Sequence, residues 1–266
     1  MKNYREKIFL LGAIAILIAI FLRQDFYNSK ISRAIFCDVG QGDGTFINLA
    51  GGIQIAIDGG PDNKFIGCVG KHMPYFDHKI ELMIISHPDK DHFEGAIKLL
   101  ENYQVEKIIT SGDISSSPDY QAFLSLAGEK IQEIGAGEDM KIGNSEIDFL
   151  SPEKDYGDEN KNSLIFKLSY GGKRILFTGD APTDIEENLI KEGVDLKAEV
   201  LKIAHHGSDG SLSKKFYEAV HPELAIISVS KDNKYGHPSA RVLKALQNLK
   251  IKYSRTDEIG DVTIDL

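Results

Sequence analysis

Four side chains able to bind a metal ion stand within six residues, at His87-Pro88-Asp89-Lys90-Asp91-His92. Imidazoles and carboxylates are the usual ligands of divalent cations in hydrolytic sites, and four this close make two adjacent ions geometrically reasonable. The segment follows a largely apolar run, Glu81 to Ser86, and precedes helical spacing at Phe93, Ala96, Ile97 and Leu100. It therefore reads as the turn from a buried strand into a helix, the edge at which ligands collect in α/β architectures. In extended backbone His87 and Asp89 project to one side. Asp91 and His92, entering the helix, turn towards a neighbouring point. Aspartates at a helix start also act as caps, favoured there by the dipole, but capping accounts for one or two of the four residues, not all.

Two further stretches offer partners. Phe177-Thr178-Gly179-Asp180 ends a hydrophobic strand in a carboxylate placed to bridge two cations. Leu201 to Ser208 ends another strand in His205-His206 and a Gly-Ser turn. A lone histidine at such a place is usually structural; two in tandem, in a chain with only eight, point to a site.

The elements that must position these groups follow from periodicity. Ala34 to Val39, Gly44 to Leu49 and Ile53 to Ile57 read as short strands, with Gly51-Gly52 as a turn. Val105 to Thr110 is another strand, followed by a Ser/Pro loop that enters a helix near Asp119. Ser163 to Tyr170 and Arg174 to Thr178 flank Gly171-Gly172-Lys173 as a hairpin. Helix and strand then alternate: Thr183 to Lys191, Glu199 to Ala204, Leu212 to Val220, Leu224 to Val229, Ser239 to Leu249, Ile251 to Ser254, and a closing strand at Val262. A strand-rich start and mixed units afterwards predict an α/β (α+β) domain, two sheets packed together with helices outside.

Composition sets bounds. The chain is 42% hydrophobic and 27% charged, which fits one globular domain plus an appendage. Net charge is −9, and because Lys2, Arg5, Lys7, Arg23 and Lys30 outnumber Glu6 and Asp25 by three, residues 31–266 carry −12. Such a domain does not advertise a nucleic-acid surface, which normally needs a basic field. Cys37 and Cys68 show neither metal-ligand spacing nor a disulfide framework. They read as two unpaired thiols, pairing outside the cytoplasm being the alternative. Ile8 to Leu22 is an uninterrupted run of apolar and small residues with basic flanks. Its flanks offer no small-x-small cleavage site, so residues 1–30 are expected to be one uncleaved N-terminal transmembrane helix, and residues 31–266 the soluble domain. The basic residues ahead of the run place the N-terminus in the cytoplasm and the domain outside it, on a single-pass protein of the cytoplasmic membrane.

His-x-Asp-x-Asp-His, the Thr-Gly-Asp strand end and the His-His-Gly-Ser turn together resemble the metallo-β-lactamase superfamily. More narrowly, the chain resembles the extracytoplasmic nuclease-like domain of ComEC-type DNA-uptake proteins. Asp38-Val39-Gly40-Gln41-Gly42-Asp43, Ile57-Asp58-Gly59-Gly60, Asn162-Ser163, Tyr235-Gly236-His237-Pro238-Ser239 and Arg255-Thr256-Asp257 carry that narrower likeness, over about residues 33 to 266. The resemblance implies an αββα sandwich with two divalent metal ions at one edge. One ion would be held by His87, Asp89 and Asp180, the other by Asp91, His92, Asp180 and one histidine of the pair, taken as His205. Many members have histidine where this chain has Asp89, and another where it has Asn162-Ser163. The oxygen-rich first site that results suits Mn²⁺ ahead of Zn²⁺.

The chemistry so implied is metal-dependent hydrolysis of a phosphodiester, single-stranded DNA foremost. His206 and His237 are the candidate catalytic groups, with Asp91 beside the cations, since imidazole titrates near neutral pH. Asp58 is expected behind a ligand histidine, with Asp38, Asp43, Asn162 and Ser163 shaping the surroundings. Lys71, Lys90, Lys202, Lys234 and Arg255 are the cations available to line a phosphate path. Ester, thioester or lactam hydrolysis by the same metals is the enzymatic alternative, and a membrane-tethered binding module without turnover the non-enzymatic one. The ComEC-type proteins carry many membrane helices where this sequence offers one, so a part in DNA import does not transfer.

Overall fold

The computed structural model describes residues 7, 9–20, 30–112 and 115–266. Two seven-stranded sheets make up its centre. The first runs β14 (Val262–Asp265), β1 (Arg33–Phe36), β2 (Thr45–Leu49), β3 (Ile53–Ile57), β4 (Lys79–Ile84), β5 (Gln104–Thr110), β6 (Ile131–Glu133). The second runs β13 (Lys252–Arg255), β12 (Leu224–Ile227), β11 (Val200–Lys202), β10 (Lys173–Phe177), β9 (Ile165–Tyr170), β8 (Ser145–Ser151), β7 (Met140–Ile142). In each sheet antiparallel pairs give way to parallel ones, β3 to β6 in the first and β10 to β13 in the second. The parallel strands bring several C-terminal ends to one edge, and that is where the candidate ligands fall.

Alternation along the strands builds the layers. From Leu82 onward, Leu82 and Ile84 face the second sheet, while Met83 and Ile85 face α2 (Lys64–His72), α3 (Lys90–Asn102) and α4 (Pro118–Ala127). On β10, Ile175 and Phe177 face the first sheet, while Leu176 faces α5 (Thr183–Glu192), α6 (Lys214–Val220) and α7 (Ala240–Asn248). Phe36, Phe166 and Phe177 stack through the middle of the inter-sheet core. The order helix–sheet–sheet–helix is the expected αββα sandwich. Strands β6, β7 and β8, helix α2 and the short helix α8 (Thr256–Ile259) were not foreseen.

Cys37 and Cys68 form a disulfide, which corrects the reading as unpaired thiols. The spacing of 31 residues hid it, because only α2, itself unforeseen, carries Cys68 back beside β1.

The transmembrane helix expected within residues 1–30 is not supported: no helix among the described residues is long and apolar enough to cross a membrane. Helix α1 (residues 9–20) would span about 18 Å at 1.5 Å per residue, against a hydrocarbon core of about 30 Å. Its side chains Phe9, Leu10, Leu11, Leu17 and Ile20 are exposed. The basic flanks Lys2, Arg5 and Arg23 that entered the expectation lie outside the described residues.

One buried charge bears on stability. Glu186 on α5 is 1% exposed and leaves one carboxylate oxygen without a partner among the described residues. Burial drives its pKa well above the usual carboxylate value, against a single opposing backbone N–H from Ser213. The folded state therefore keeps this proton to higher pH than the unfolded chain does. Its stabilising contribution is whole below the unfolded value near 4.5 and is lost as pH rises through the folded one. Glu186→Gln should match the wild type in Tm at pH 4 and exceed it at pH 8. The gain should be at least about 2–4 °C, at about 1.4 kcal/mol for each pH unit travelled. A thermal melt series across that range checks it, and parallel curves for the two proteins would refute it.

Candidate metal centre

Each ligand segment is placed by a strand end. Ser86 and His87 follow β4, and Asp89 occupies the N-cap of α3 without making a side-chain capping bond, so capping does not explain it. Asp91 and His92 lie in the first turn of that helix. Asp180 follows β10, its backbone N–H held by the Ser163 hydroxyl at 3.2 Å, while Pro182 occupies the N-cap of α5. After β11 the chain turns sharply through His205 (φ 48°) and His206 (φ 54°), both in the left-handed region that costs side-chain-bearing residues energy. The turn is fixed by His205 N–H to Gly179 O at 3.1 Å and Ser239 N–H to Gly207 O at 2.9 Å. Gly42 (φ 144°) lets the Asp38–Asp43 loop close on the same place; a Cβ there would collide with the Asp91 carbonyl, and Asp43 N–H bonds to that carbonyl at 3.1 Å.

The six-residue motif and the two downstream segments, far apart in sequence, converge. His87, His92 and Asp180 present ligand atoms within 4.8 Å of one another, and so do Asp91, His92 and His206. Asp180 faces both groups: Oδ1 lies 3.3 Å from His92 Nε2, and Oδ2 lies 3.8 Å from His206 Nε2. His206 Nε2 is also 3.3 Å from Asp91 Oδ2. His87 Nε2, His92 Nε2 and Asp180 Oδ1 are buried with no hydrogen-bond partner among the described residues. Buried polar atoms are normally satisfied. Three orphans that are imidazole nitrogen and carboxylate oxygen, pointed at one another, fit divalent cations.

The charges reinforce that fit. Burial opposes charge on His206, yet Asp180 and Asp43 raise its pKa to about 9. Burial likewise opposes charge on His92, which Asp180 and Asp58 hold well above the usual histidine value. Asp180 is pushed up by burial but carried well below the carboxylate range by His92 and His206. A cation competes with these protons, so metal uptake here releases them.

Behind the ligands stands a layer of orienting groups. Asp58 Oδ2 is 3.0 Å from His92 Nδ1, and both its oxygens accept from Ser86, the N–H at 2.7 Å and the hydroxyl at 2.9 Å. Ser86 Oγ lies in turn 3.0 Å from His87 Nδ1. Asp58 therefore stands behind two imidazoles, one directly and one through Ser86, which sequence reasoning passed over as the last residue of a strand. Asp43 Oδ1 lies 3.3 Å from His206 Nδ1, which is 3.0 Å from the Ser228 carbonyl.

Not every expected residue sits where the sequence put it. Of the histidine pair, His206 is buried with Nε2 facing Asp91 and Asp180, whereas the His205 side chain is 33% exposed with Nε2 3.7 Å from Asp180 Oδ2. The choice of His205 as ligand and His206 as proton carrier does not match this geometry. Asp89 is 3.4 Å from His87 Nε2 and half-exposed, standing outside the tight groups. Asn162 is turned away, accepting from Tyr156 N–H and donating to Asp155 Oδ1, each at 2.8 Å. Asp38 is exposed, its backbone N–H bound to Asp261. His237 lies beside the pair, ring centroids 5.7 Å from His205 and 6.5 Å from His206, and burial followed by these two neighbours lowers its pKa. Of the cations assigned to a phosphate path, Lys202 is instead buried against Asp43 at 2.6 Å. Lys71, Lys90 and Arg255 are engaged by Asp261, Glu94 and Asp257.

Comparison with known proteins agrees with this construction. The family description "Metallo-beta-lactamase superfamily" matches residues 77–230, which contain every ligand candidate named above. ComE operon protein 3 of Bacillus subtilis is 30% identical over 246 residues, 85% of this chain and 32% of that protein. Competence protein ComA of Neisseria gonorrhoeae is 32% identical over 191 residues, 71% of this chain and 26% of that protein. The chain thus spans about a third or less of the length of these relatives. Among solved structures, the metallo-beta-lactamase fold protein YhfI of Bacillus subtilis superimposes with a TM-score of 0.62 at 11% identity, covering 88% of this chain and all of that one. With the fold, the convergent ligands and the family match in agreement, the chain belongs to the metallo-beta-lactamase superfamily.

Proposed function

We propose that the chain is a hydrolase dependent on two divalent cations, Mn²⁺ ahead of Zn²⁺, that cleaves phosphodiesters, single-stranded DNA foremost, outside the cytoplasmic membrane. The observation that carries the reading is Asp180, whose two oxygens face two groups of buried imidazoles and carboxylates, several of their atoms orphaned. Divalent cations at such a centre supply Lewis acidity and a nucleophilic water near neutral pH. His87, Asp89 and Asp180 would hold one cation, and Asp91, His92, Asp180 and His206 the other. His205 and His237, partly exposed and edge to face, are placed to contact a substrate oxygen, His237 as a neutral hydrogen-bonding imidazole and His205 as the group that hands a proton to the leaving group. His237 is neutral at neutral pH because its pKa is lowered, and Asn233 holds its backbone at both N–H and carbonyl.

The substrate class rests on likeness to the competence proteins and on the carboxylate-rich donor set. The acidic balance limits where a polyanion can run. A cleft of about 800 Å³ on the Asp89 side is lined by Glu133, Glu138, Glu153, Asp155, Asp158 and Glu159, against the single cation Lys154 among the described lining residues. A nucleic-acid strand is therefore repelled on that side and approaches from His205 and His237. The location rests on two features: the disulfide, which persists in oxidising compartments, and the exposed apolar side chains of α1, which a lipid surface would cover.

The test uses the full chain with Mn²⁺, Mg²⁺ or Zn²⁺ against single-stranded DNA, a chromogenic phosphodiester and a β-lactam. Mn²⁺-stimulated cleavage of the first two is expected, abolished by chelation and restored by Mn²⁺. Lactam turnover without phosphodiester cleavage would shift the reading to ester, thioester or lactam hydrolysis. Metal-independent DNA binding without turnover would leave a tethered binding module. The same preparation should co-sediment with liposomes and lose that property when residues 1–30 are removed; unchanged sedimentation would end the membrane part of the proposal.

A further inference from the structure

Lys202 is the most deeply buried cation of the molecule's second sheet, 2% exposed at the end of β11. Its ammonium donates to Asp43 Oδ2 at 2.6 Å and to the Ile203 carbonyl at 3.0 Å. A buried lysine is costly unless its charge is matched, and one this well bonded is retained for what it holds. What it holds is Asp43, 5% exposed, whose other oxygen makes no hydrogen bond among the described residues and lies 3.3 Å from the Nδ1 of His206, a nitrogen that also faces the Ser228 carbonyl at 3.0 Å. Ligand atoms of Asp43 also lie within 4.8 Å of Asp58 and His92 in one group and of Asp180 and His206 in another. Lys202, Asp43, Asp58 and Ser86 face one small cavity. Two buried carboxylates therefore stand behind His92 and His206, and like charges so close are stable only with a counter-charge between the strands that carry them. Lys202 is that charge.

We propose that Lys202 is a positioning residue of the metal centre: through Asp43 it fixes the His206 ring, and so the cation held by Asp91, His92 and His206, without touching substrate. The inference rests on the dinuclear reading above and adds to it a residue whose sequence position, three before the histidine pair, suggested a surface role. It separates two effects that a merely structural lysine would not. Loss of the ammonium should weaken one cation site and lower kcat while leaving KM unchanged, since the lysine is 2% exposed and its ammonium is spent on Asp43 and the Ile203 carbonyl.

The experiment compares full-length wild type, Lys202→Met and the double variant Lys202→Met/Asp43→Asn. Mn²⁺ stoichiometry and affinity are measured by calorimetry and elemental analysis, with Tm and steady-state rates on a chromogenic phosphodiester alongside. Wild type should take up two Mn²⁺. Lys202→Met should lose affinity for one of them by at least about tenfold, the lower end of what removing an outer-sphere partner costs. Its kcat should fall with unchanged KM. The double variant, which removes both buried charges together, should regain Tm but not the lost Mn²⁺ affinity; it also serves if Lys202→Met alone fails to fold. Two Mn²⁺ bound by the double variant with wild-type affinity would overturn the proposal and leave the dinuclear centre standing. No Mn²⁺ or Zn²⁺ bound by the wild type would overturn the dinuclear reading itself, and this inference with it.

Discussion

Asp180→Ala is expected to empty both cation sites and to reduce phosphodiester hydrolysis by about 10³–10⁴-fold. The size follows from what the residue does. Cations at such a centre supply several kcal/mol of transition-state stabilisation, and each 1.36 kcal/mol is tenfold in rate. Asp180 presents its two oxygens to both imidazole groups, His92 from Oδ1 and His206 from Oδ2. It is 3% exposed, and its backbone is pinned by Ser163 Oγ at one end of a strand whose neighbour carries the histidine turn. The neighbouring carboxylates are already engaged: Asp91 faces His206, and Asp43, although within 4.8 Å of Asp180 and His206, is paired with the buried Lys202. By contrast Asp89→Ala should be milder, because Asp89 is half-exposed and touches only the His87 side. Elemental analysis of the two purified variants checks the ranking. An Asp180→Ala protein that still holds two Mn²⁺ and turns over would refute the bridging role.

The convergence of these side chains was legible in the sequence because the candidate ligands sit where strands end, and strand ends are announced by apolar runs breaking into polar residues. His87 to His92, Asp180 and the His205-His206 pair all stood out that way. What the sequence hid was direction. Both histidines of the pair are in left-handed backbone, a conformation no side-chain pattern foretells for non-glycine residues, and that turn decides which ring points inward. Lys202 looked like a surface cation by type; only the pairing of β11 between β10 and β12 buries it against a loop from the other sheet. Ser86 carried no signal, since a serine at a strand end has many roles. Helix α2 was missed for a different reason. Its nine residues include Gly67 and Gly70, which weaken helical propensity, and its buried face is only Phe65, Cys68 and Val69. The hairpin of β7 and β8 did have a signal, Gly143-Asn144 ahead of alternating Ile147 and Phe149, obscured by the short first strand.

Asp58 offers the second large effect, and it divides orientation from folding. The residue ends β3 with φ 55°, buried, and binds Ser86 twice while facing His92. Asp58→Asn keeps a side chain of the same shape, tolerates the left-handed backbone and can still accept from the Ser86 N–H. It loses the charge that holds both imidazoles in the tautomer with Nε2 free, so affinity for both cations should fall by about 10–100-fold with Tm little changed. Asp58→Ala should suffer that loss and in addition leave the Ser86 N–H and hydroxyl without acceptors in a buried site, at about 1–3 kcal/mol for each. Ser86→Ala is the discriminating third variant. Its hydroxyl relays Asp58 to His87 at 3.0 Å, whereas His92, although 3.3 Å from the same hydroxyl, meets Asp58 directly at 3.0 Å, so the cation on the His87 side should weaken more. Mn²⁺ titrations of the three variants read this out as both sites, both sites and chiefly one. If Asp58→Asn binds two Mn²⁺ as tightly as the wild type, the imidazoles are held by packing alone, and the carboxylate behind them is a structural bystander.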